Sequence, residues 1–163
     1  MASDPHACPP FPTVAWGAAT MTFHATRPPR GARPAAVVVF ACHDDGFVIA
    51  DVPRGWCTPS GRLEPGETPL KAALRETREE IGADLLRPRR IGHFAVRDTV
   101  GAEQIVPAYL GFVDGFGALP RGTESRGARL ATLADLPGLY CKWNDLMAAV
   151  FAYAESLARG ERA

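Results

Sequence analysis

The stretch from Gly61 to Ala83, GRLEPGETPLKAALRETREEIGA, constrains the fold of this chain more than any other segment. Thr68 is a good N-cap, Pro69 suits the first helical position, and residues 70–81 contain no proline or glycine to interrupt a helix. The spacing therefore predicts a helix from Pro69 to Ile81, closed by Gly82 as a C′ residue. At about 100° per residue, Leu70, Ala73, Leu74, Thr77 and Ile81 share one face, while Glu76, Glu79 and Glu80 gather on another. One face packs; the other concentrates negative charge.

Carboxylates at i, i+3 and i+4 repel one another by a few tenths of a kcal/mol per pair, roughly, so something must offset them. Arg75 can reach Glu79 one turn on, or Glu67 in the incoming loop. A hard divalent cation does it better, because Mg²⁺ and Mn²⁺ take oxygen ligands from a few carboxylates together with phosphates and water. Three glutamates alone are better read as a solvated acidic face with intrahelical ion pairs.

The full pattern is more specific. It runs Gly61, five residues, Glu67, seven residues, Arg75-Glu76, two residues, Glu79-Glu80, one residue, Gly82. With background frequencies of roughly 5–10% per position, these identities match by chance on the order of 10⁻⁸ per start, which sets coincidence aside. The stretch resembles the signature of the Nudix hydrolases, a glycine-loop-helix motif that binds a divalent metal and a diphosphate. Trp56-Cys57-Thr58-Pro59-Ser60-Gly61 is similar to the segment that precedes that signature, with Ser60 in place of its first glycine. Thr77 and Ala83 fill two usually aliphatic positions. These departures touch packing and loop shape rather than the carboxylates.

At 163 residues the chain has the length of one domain with a proper core, expected over 13–160 behind a loose proline-dense arm at 1–12. Its formal net charge is zero, so no global field recruits nucleic acid or an anionic membrane. Cys8, Cys42, Cys57 and Cys141 form no CxxC and lack zinc-like spacing to histidine, and are expected to be reduced packing residues. No apolar run approaches a membrane span, and no basic segment followed by an apolar stretch opens the chain, so a cytoplasmic location is expected. The sequence leaves the oligomeric state open between monomer and homodimer.

Along the chain, strands are expected at Thr13 to His24, Ala35 to Cys42 and Phe47 to Val52, the last two joined at Asp44-Asp45-Gly46 as a hairpin. Leu85 to Arg90, with Pro88, reads as a connection. Strands follow at Ile91 to Thr99 and Gln104 to Asp114. Gly115 to Gly127 reads as a mobile glycine-rich loop carrying Glu124, and Ala128 to Leu133 as one more strand before a turn at Ala134 to Pro137. Trp143, Leu146, Met147, Val150, Ala154 and Leu157 recur at helical spacing, giving a last helix that Gly160 stops. Strands with two packed helices match the α/β/α sandwich around a mixed β-sheet that the Nudix resemblance implies.

That resemblance also implies roles. Glu79 and Glu80 would be the principal metal ligands, with the Ser60 carbonyl close by, and Glu76 either a further ligand or the general base. Glu124 occupies the region from which antimutator pyrophosphatases of this superfamily supply an additional glutamate; a solvated loop carboxylate is the equally weighted alternative. Glu67 and Arg75 are expected to form an ion pair holding the loop to the helix, with Gly61, Gly66 and Gly82 serving backbone geometry.

The window Arg97 to Gly101 has neither the proline associated with ADP-ribose hydrolysis nor the tyrosine associated with diadenosine polyphosphates. A nucleoside triphosphate is therefore favoured, such as 8-oxo-dGTP, with ADP-ribose or another nucleoside diphosphate derivative as the alternative and a non-catalytic nucleotide sensor as the contrasting class. Asn144 stands twenty residues beyond Glu124, where the antimutator enzymes place a base-binding asparagine. Trp143 and Tyr140 are candidates to stack on the base. Asn144 also suits a helix N-cap, and Trp143 fits the apolar stripe.

Overall fold

The computed structural model describes residues 11–162. Its elements are β1 (Val14–Trp16), β2 (Ala19–His24), β3 (Ala36–His43), β4 (Gly46–Val52), β5 (Gly55–Cys57), β6 (Ser60–Arg62), α1 (Pro69–Ile81), β7 (Leu86–Arg97), β8 (Glu103–Phe112), β9 (Gly127–Ala131), α2 (Leu136–Leu139) and α3 (Asp145–Arg162). The strands form one mixed sheet in the order β1-β2-β7-β8-β3-β4-β5, with β6 added to β3 and β9 to β4. β3 runs parallel to β8, and the other strand pairings are antiparallel.

Strand alternation assigns each helix to one face of this sheet. Val37, Val39 and Ala41 of β3, with Val48, Ala50 and Val52 of β4, pack with Ala72, Ala73 and Ile81 of α1. The alternate residues Val38, Phe40, Cys42, Phe47 and Ile49 pack with Leu146, Val150, Phe151 and Ala154 of α3. Both central strands are covered on both sides, which is why β3 reads as a continuous apolar run rather than an alternating one. Helices on both faces of a mixed sheet give the expected α/β/α architecture.

α1 has the expected bounds: Thr68 Oγ1 accepts from the Lys71 amide, and Gly82 takes the left-handed conformation at φ 63°. Its buried face is turned from the expected one. Ala72, Ala73, Glu76, Thr77 and Ile81 are buried, whereas Leu70 is 41% exposed. The small alanines let the helix lie close to β3, and that brings Glu76 inward.

Other elements differ from expectation for local reasons. The expected strand from Thr13 to His24 is a hairpin, folded at Gly17 with φ 62°. Leu85 to Arg90 is not a simple connection, because β7 already begins at Leu86 and takes up Pro88 in a register shift between Leu86 and Arg89. α3 starts at Asp145 and continues through Gly160 to Arg162, since one exposed glycine in an established helix does not stop it. Of the arm expected at 1–12, residues 1–10, including Cys8, lie outside the described residues, and Phe11 packs edge-on against Phe23 at 4.8 Å and Tyr153 at 5.6 Å.

The cysteines require a correction. Cys57 and Cys141 form a disulfide across a sequence separation of 84, with Cα atoms 6.0 Å apart. Neither the lack of a CxxC nor the expected compartment argued for this pair; the isolated parallel bridge between Trp56 and Tyr140 brings the two segments together. Cys42 is free and buried, and burial pushes its thiol up to about 12. Among the described residues no helix is long and apolar enough to cross a membrane.

Candidate active site

The edge of α1 that faces β6 carries the acidic cluster. Glu76 is 7% exposed and lies over Gly61, where a Cβ would overlap its carboxylate. Gly61 thus leaves room for the Glu76 carboxylate in its present place, whatever the turn itself needs. Burial raises the Glu76 pKa against the lowering effect of Arg75.

Arg75 supplies the local cation. Its Nε and Nη2 donate to Glu67 at 2.9 Å, Nη1 donates to Glu76 at 2.7 Å and to Glu79 at 3.1 Å, and Nη2 also reaches the Arg62 carbonyl at 2.9 Å. The Glu67 carboxyl, hydrogen-bonded by Arg75 and by the Glu64 amide, is held down at about 2. Arg75 therefore ties the loop to the helix as expected, and it also bridges two of the candidate ligands.

Glu80 is held without Arg75, accepting from the Ser60 amide at 3.0 Å. Burial pushes its carboxyl up to about 7, the Ser60 hydrogen bond opposes this, and the nearby charges of Glu76 and Glu124 add to the rise. Ser60 also receives a 2.7 Å hydrogen bond at Oγ from Arg54. Among the described residues no three acidic, histidine or cysteine side chains are already drawn together as a metal cage. The donor set still fits a hard divalent cation: carboxylate oxygens on one helix edge, desolvated in part, with a glycine cradle beside them.

Glu124 is exposed, and its two neighbours anchor it. Thr123 Oγ1 donates to the Glu79 carbonyl and Ser125 Oγ to the Glu80 carbonyl, each at 2.6 Å. The Gly117 amide donates to the Ile81 carbonyl at 2.7 Å. The glycine-rich loop, expected to be mobile, is thus fastened to the end of α1. Sequence reasoning missed Thr123 and Ser125 because their partners are backbone carbonyls, which carry no residue identity.

Beside the acidic edge, on the α3 side of the sheet, a cavity of about 370 Å³ is lined by apolar side chains including Met21, Val38, Phe94, Val106 and Met147. Arg54, Ser60, Gly61, Tyr140 and Lys142 also line it, so the cavity and the acidic cluster share the Ser60-Gly61 segment. Tyr140 lies within hydrogen-bond distance of Thr58 Oγ1, 2.8 Å, and the Cys141 amide donates to the Trp56 carbonyl at 2.9 Å. Together with the disulfide these contacts fix one wall of the cavity. Of the three candidate base contacts, only Tyr140 lines it. Asn144 Oδ1 caps α3, accepting from the Met147 amide at 2.9 Å, and Trp143 packs against Phe151 at 5.7 Å.

A family model described as NUDIX domain matches residues 32–151, well over half of the chain. A Bacillus subtilis (strain 168) protein provisionally named 8-oxo-dGTP diphosphatase is 36% identical over 87 residues, covering 53% of this chain and 56% of that protein. An RNA pyrophosphohydrolase from a Nitratiruptor species is 51% identical over 40 residues, 23% of this chain and 26% of the relative. The matches thus span about half, or less, of these curated relatives. Among solved structures, a Bacillus subtilis pyrophosphohydrolase superposes with TM-score 0.67 at 19% identity, covering 88% of this chain and 92% of the other. At that identity the likeness concerns the fold.

Proposed function

The chain belongs to the NUDIX domain family, and from that premise we propose that it is a divalent-metal-dependent pyrophosphohydrolase converting a nucleoside triphosphate to monophosphate and pyrophosphate. The observation that carries this reading is adjacency: a carboxylate edge suited to a metal and diphosphate shares Ser60 and Gly61 with an apolar cavity large enough for a nucleoside. The relatives' names support a nucleotide anhydride as substrate, and an oxidised purine nucleotide such as 8-oxo-dGTP is the leading candidate.

Glu79 and Glu80, with Glu76 and the Ser60 carbonyl, would hold Mg²⁺ or Mn²⁺. Bound there, the cation supplies charge neutralisation at the diphosphate and acidifies a water. The chain's own residues divide the remaining work. Glu76, buried and paired with Arg75, keeps the edge of α1 negative and in place. Glu124, exposed beside Glu80, is the proton acceptor for the attacking water in this reading. Arg54, at the rim between Ser60 and the cavity, faces the substrate's phosphates. Tyr140 forms the wall against which the base lies, and Trp143 and Asn144 support that wall from behind through ring packing and the helix cap. A cytoplasmic nucleotide pool is the substrate source this reading implies, and residues 13–160 act as one domain.

The test is a turnover screen with Mg²⁺ and with Mn²⁺, in which products are passed either to inorganic pyrophosphatase or to phosphatase. Substrates are normal and oxidised nucleoside triphosphates, ADP-ribose, diadenosine polyphosphates and triphosphate-ended RNA. Phosphate that requires pyrophosphatase, released from free triphosphates, is the expected result. Signal confined to the phosphatase arm with ADP-ribose, or confined to RNA, contradicts the substrate assignment.

A further inference from the structure

We propose that Thr123 and Ser125 are positioning residues that clamp Glu124 against the end of α1 carrying Glu79 and Glu80; the inference rests on the function proposed above. The final carbonyls of a helix have no partner within it. In α1 three successive ones, at Glu79, Glu80 and Ile81, are taken by the loop through Thr123 Oγ1, Ser125 Oγ and the Gly117 amide. The first two donors lie 44 and 45 residues further along the chain, directly on either side of Glu124.

The turn between them is itself closed, because Thr123 Oγ1 accepts from the Ser125 amide at 3.2 Å. Ser125 is 7% exposed and Thr123 is half-buried, whereas Glu124 is exposed, so the anchors are at least partly withdrawn from solvent and the carboxylate between them meets it. Two further features fix the loop. A Cβ on Gly82 would collide with the backbone of Ala118, so this glycine makes room for the loop as well as ending the helix. On the exit side, the Arg126 amide donates to the Asp51 carbonyl and its guanidinium pairs with the Asp51 carboxylate, both at 2.8 Å.

A cap for a helix end needs only donors. This one spends two hydroxyls that bracket a single acidic residue, so the geometry couples Glu124 to the same backbone turn that carries the candidate metal ligands. Releasing either hydroxyl lets Glu124 leave that register while the cavity and substrate grip stay intact.

A double-mutant cycle separates positioning from simple capping. The variants are Thr123→Val, Thr123→Ser, Glu124→Gln and the combination of Thr123→Val with Glu124→Gln, each measured for kcat and KM with the triphosphate that the wild type turns over best. Thr123→Val should lower kcat about ten-fold with KM within about two-fold, and Thr123→Ser should restore it. In the Glu124→Gln background the same valine should cost less than about two-fold, because the group it positions is gone. Amide exchange over residues 121–126 should accelerate in Thr123→Val and remain at the wild-type rate in Thr123→Ser. Should Thr123→Val not fold, Ser125→Ala takes its place in the cycle. An equal cost in both backgrounds, or a loss carried by KM, overturns the clamp alone. A wild-type protein without turnover on any nucleotide overturns the function itself and this role with it.

Discussion

The acidic edge of α1 and the wall of the cavity meet at Thr58 to Gly61, and they are held by opposite means. On the acidic edge, charge is placed by charge and by backbone: Arg75 spans Glu67, Glu76 and Glu79, and the Ser60 amide holds Glu80. The cavity wall is held by a covalent bond, a hydroxyl contact from Tyr140 to Thr58 and ring packing onto Phe151. A site that binds an ion must keep carboxylates close together despite their repulsion. A site that binds a flat apolar group needs a wall that does not move. The first problem is solved between Ser60 and Glu80, 20 positions apart in sequence, the second by joining segments 84 residues apart.

If that contrast holds, breaking the wall's staple has the largest effect on stability. Reducing Cys57–Cys141, or replacing both with serine, should cost about 2–4 kcal/mol, since the bond restricts the unfolded chain over a long loop. Calorimetry with and without a dithiol measures it, and the serine pair should no longer respond to the dithiol. An unchanged midpoint would mean that packing alone holds the wall. In a reducing compartment the relevant state is the reduced one, so the turnover screen belongs in both conditions.

Gly61→Ala tests the acidic edge at its tightest point. The added methyl overlaps the Glu76 carboxylate, so that side chain must swing aside and give up its present pairing with Arg75, at about 1–3 kcal/mol. Turnover should fall more than stability does, because the displaced group belongs to the site. A variant with normal turnover would show that Glu76 has room to spare.

Acidity separates two carboxyls of the same edge. The Glu67 pKa is lowered to about 2, so its contribution to stability is present above about pH 4.5 and is lost as pH falls from there toward 2. The Glu80 pKa is raised to about 7, so in metal-free protein stability is highest below about pH 4.5 on its account and declines as pH rises toward 7. Urea midpoints across this range should fall at both ends, and Glu80→Gln should make the upper limb shallower, leaving the lower limb and the share of the buried Glu76 carboxyl in place. An upper limb unchanged in that variant would assign the decline to another group.

The smallest effect belongs to the wall. Tyr140→Phe removes one hydroxyl contact to Thr58 and should cost about 1 kcal/mol, with KM rising more than kcat falls. A change in kcat alone would place Tyr140 with the chemistry instead.

The same division explains what the sequence revealed. α1, its caps, the Arg75–Glu67 pair and the carboxylate set were legible because cap chemistry, helical period and i, i+4 spacing are local rules. β5 and β6, three residues each, are too short to show alternation. Pro88 hid the start of β7, since a bulge tolerates what a regular strand does not. The disulfide and the Thr123 and Ser125 anchors depend on contacts between distant segments, and the anchors bind carbonyls present at every residue. Asn144 was legible as two alternatives, a base contact from its spacing to Glu124 or a helix N-cap, and its Oδ1 occupies the cap of α3.

The central claim is that Glu79 and Glu80 hold a divalent cation at the mouth of the cavity. Its most direct test is Mn²⁺ binding followed by electron paramagnetic resonance, on wild type, Glu79→Gln and Glu80→Gln, alongside circular dichroism to report the fold. The account predicts native spectra with Mn²⁺ affinity reduced about ten-fold or more in each variant. Wild-type affinity in both variants would contradict it.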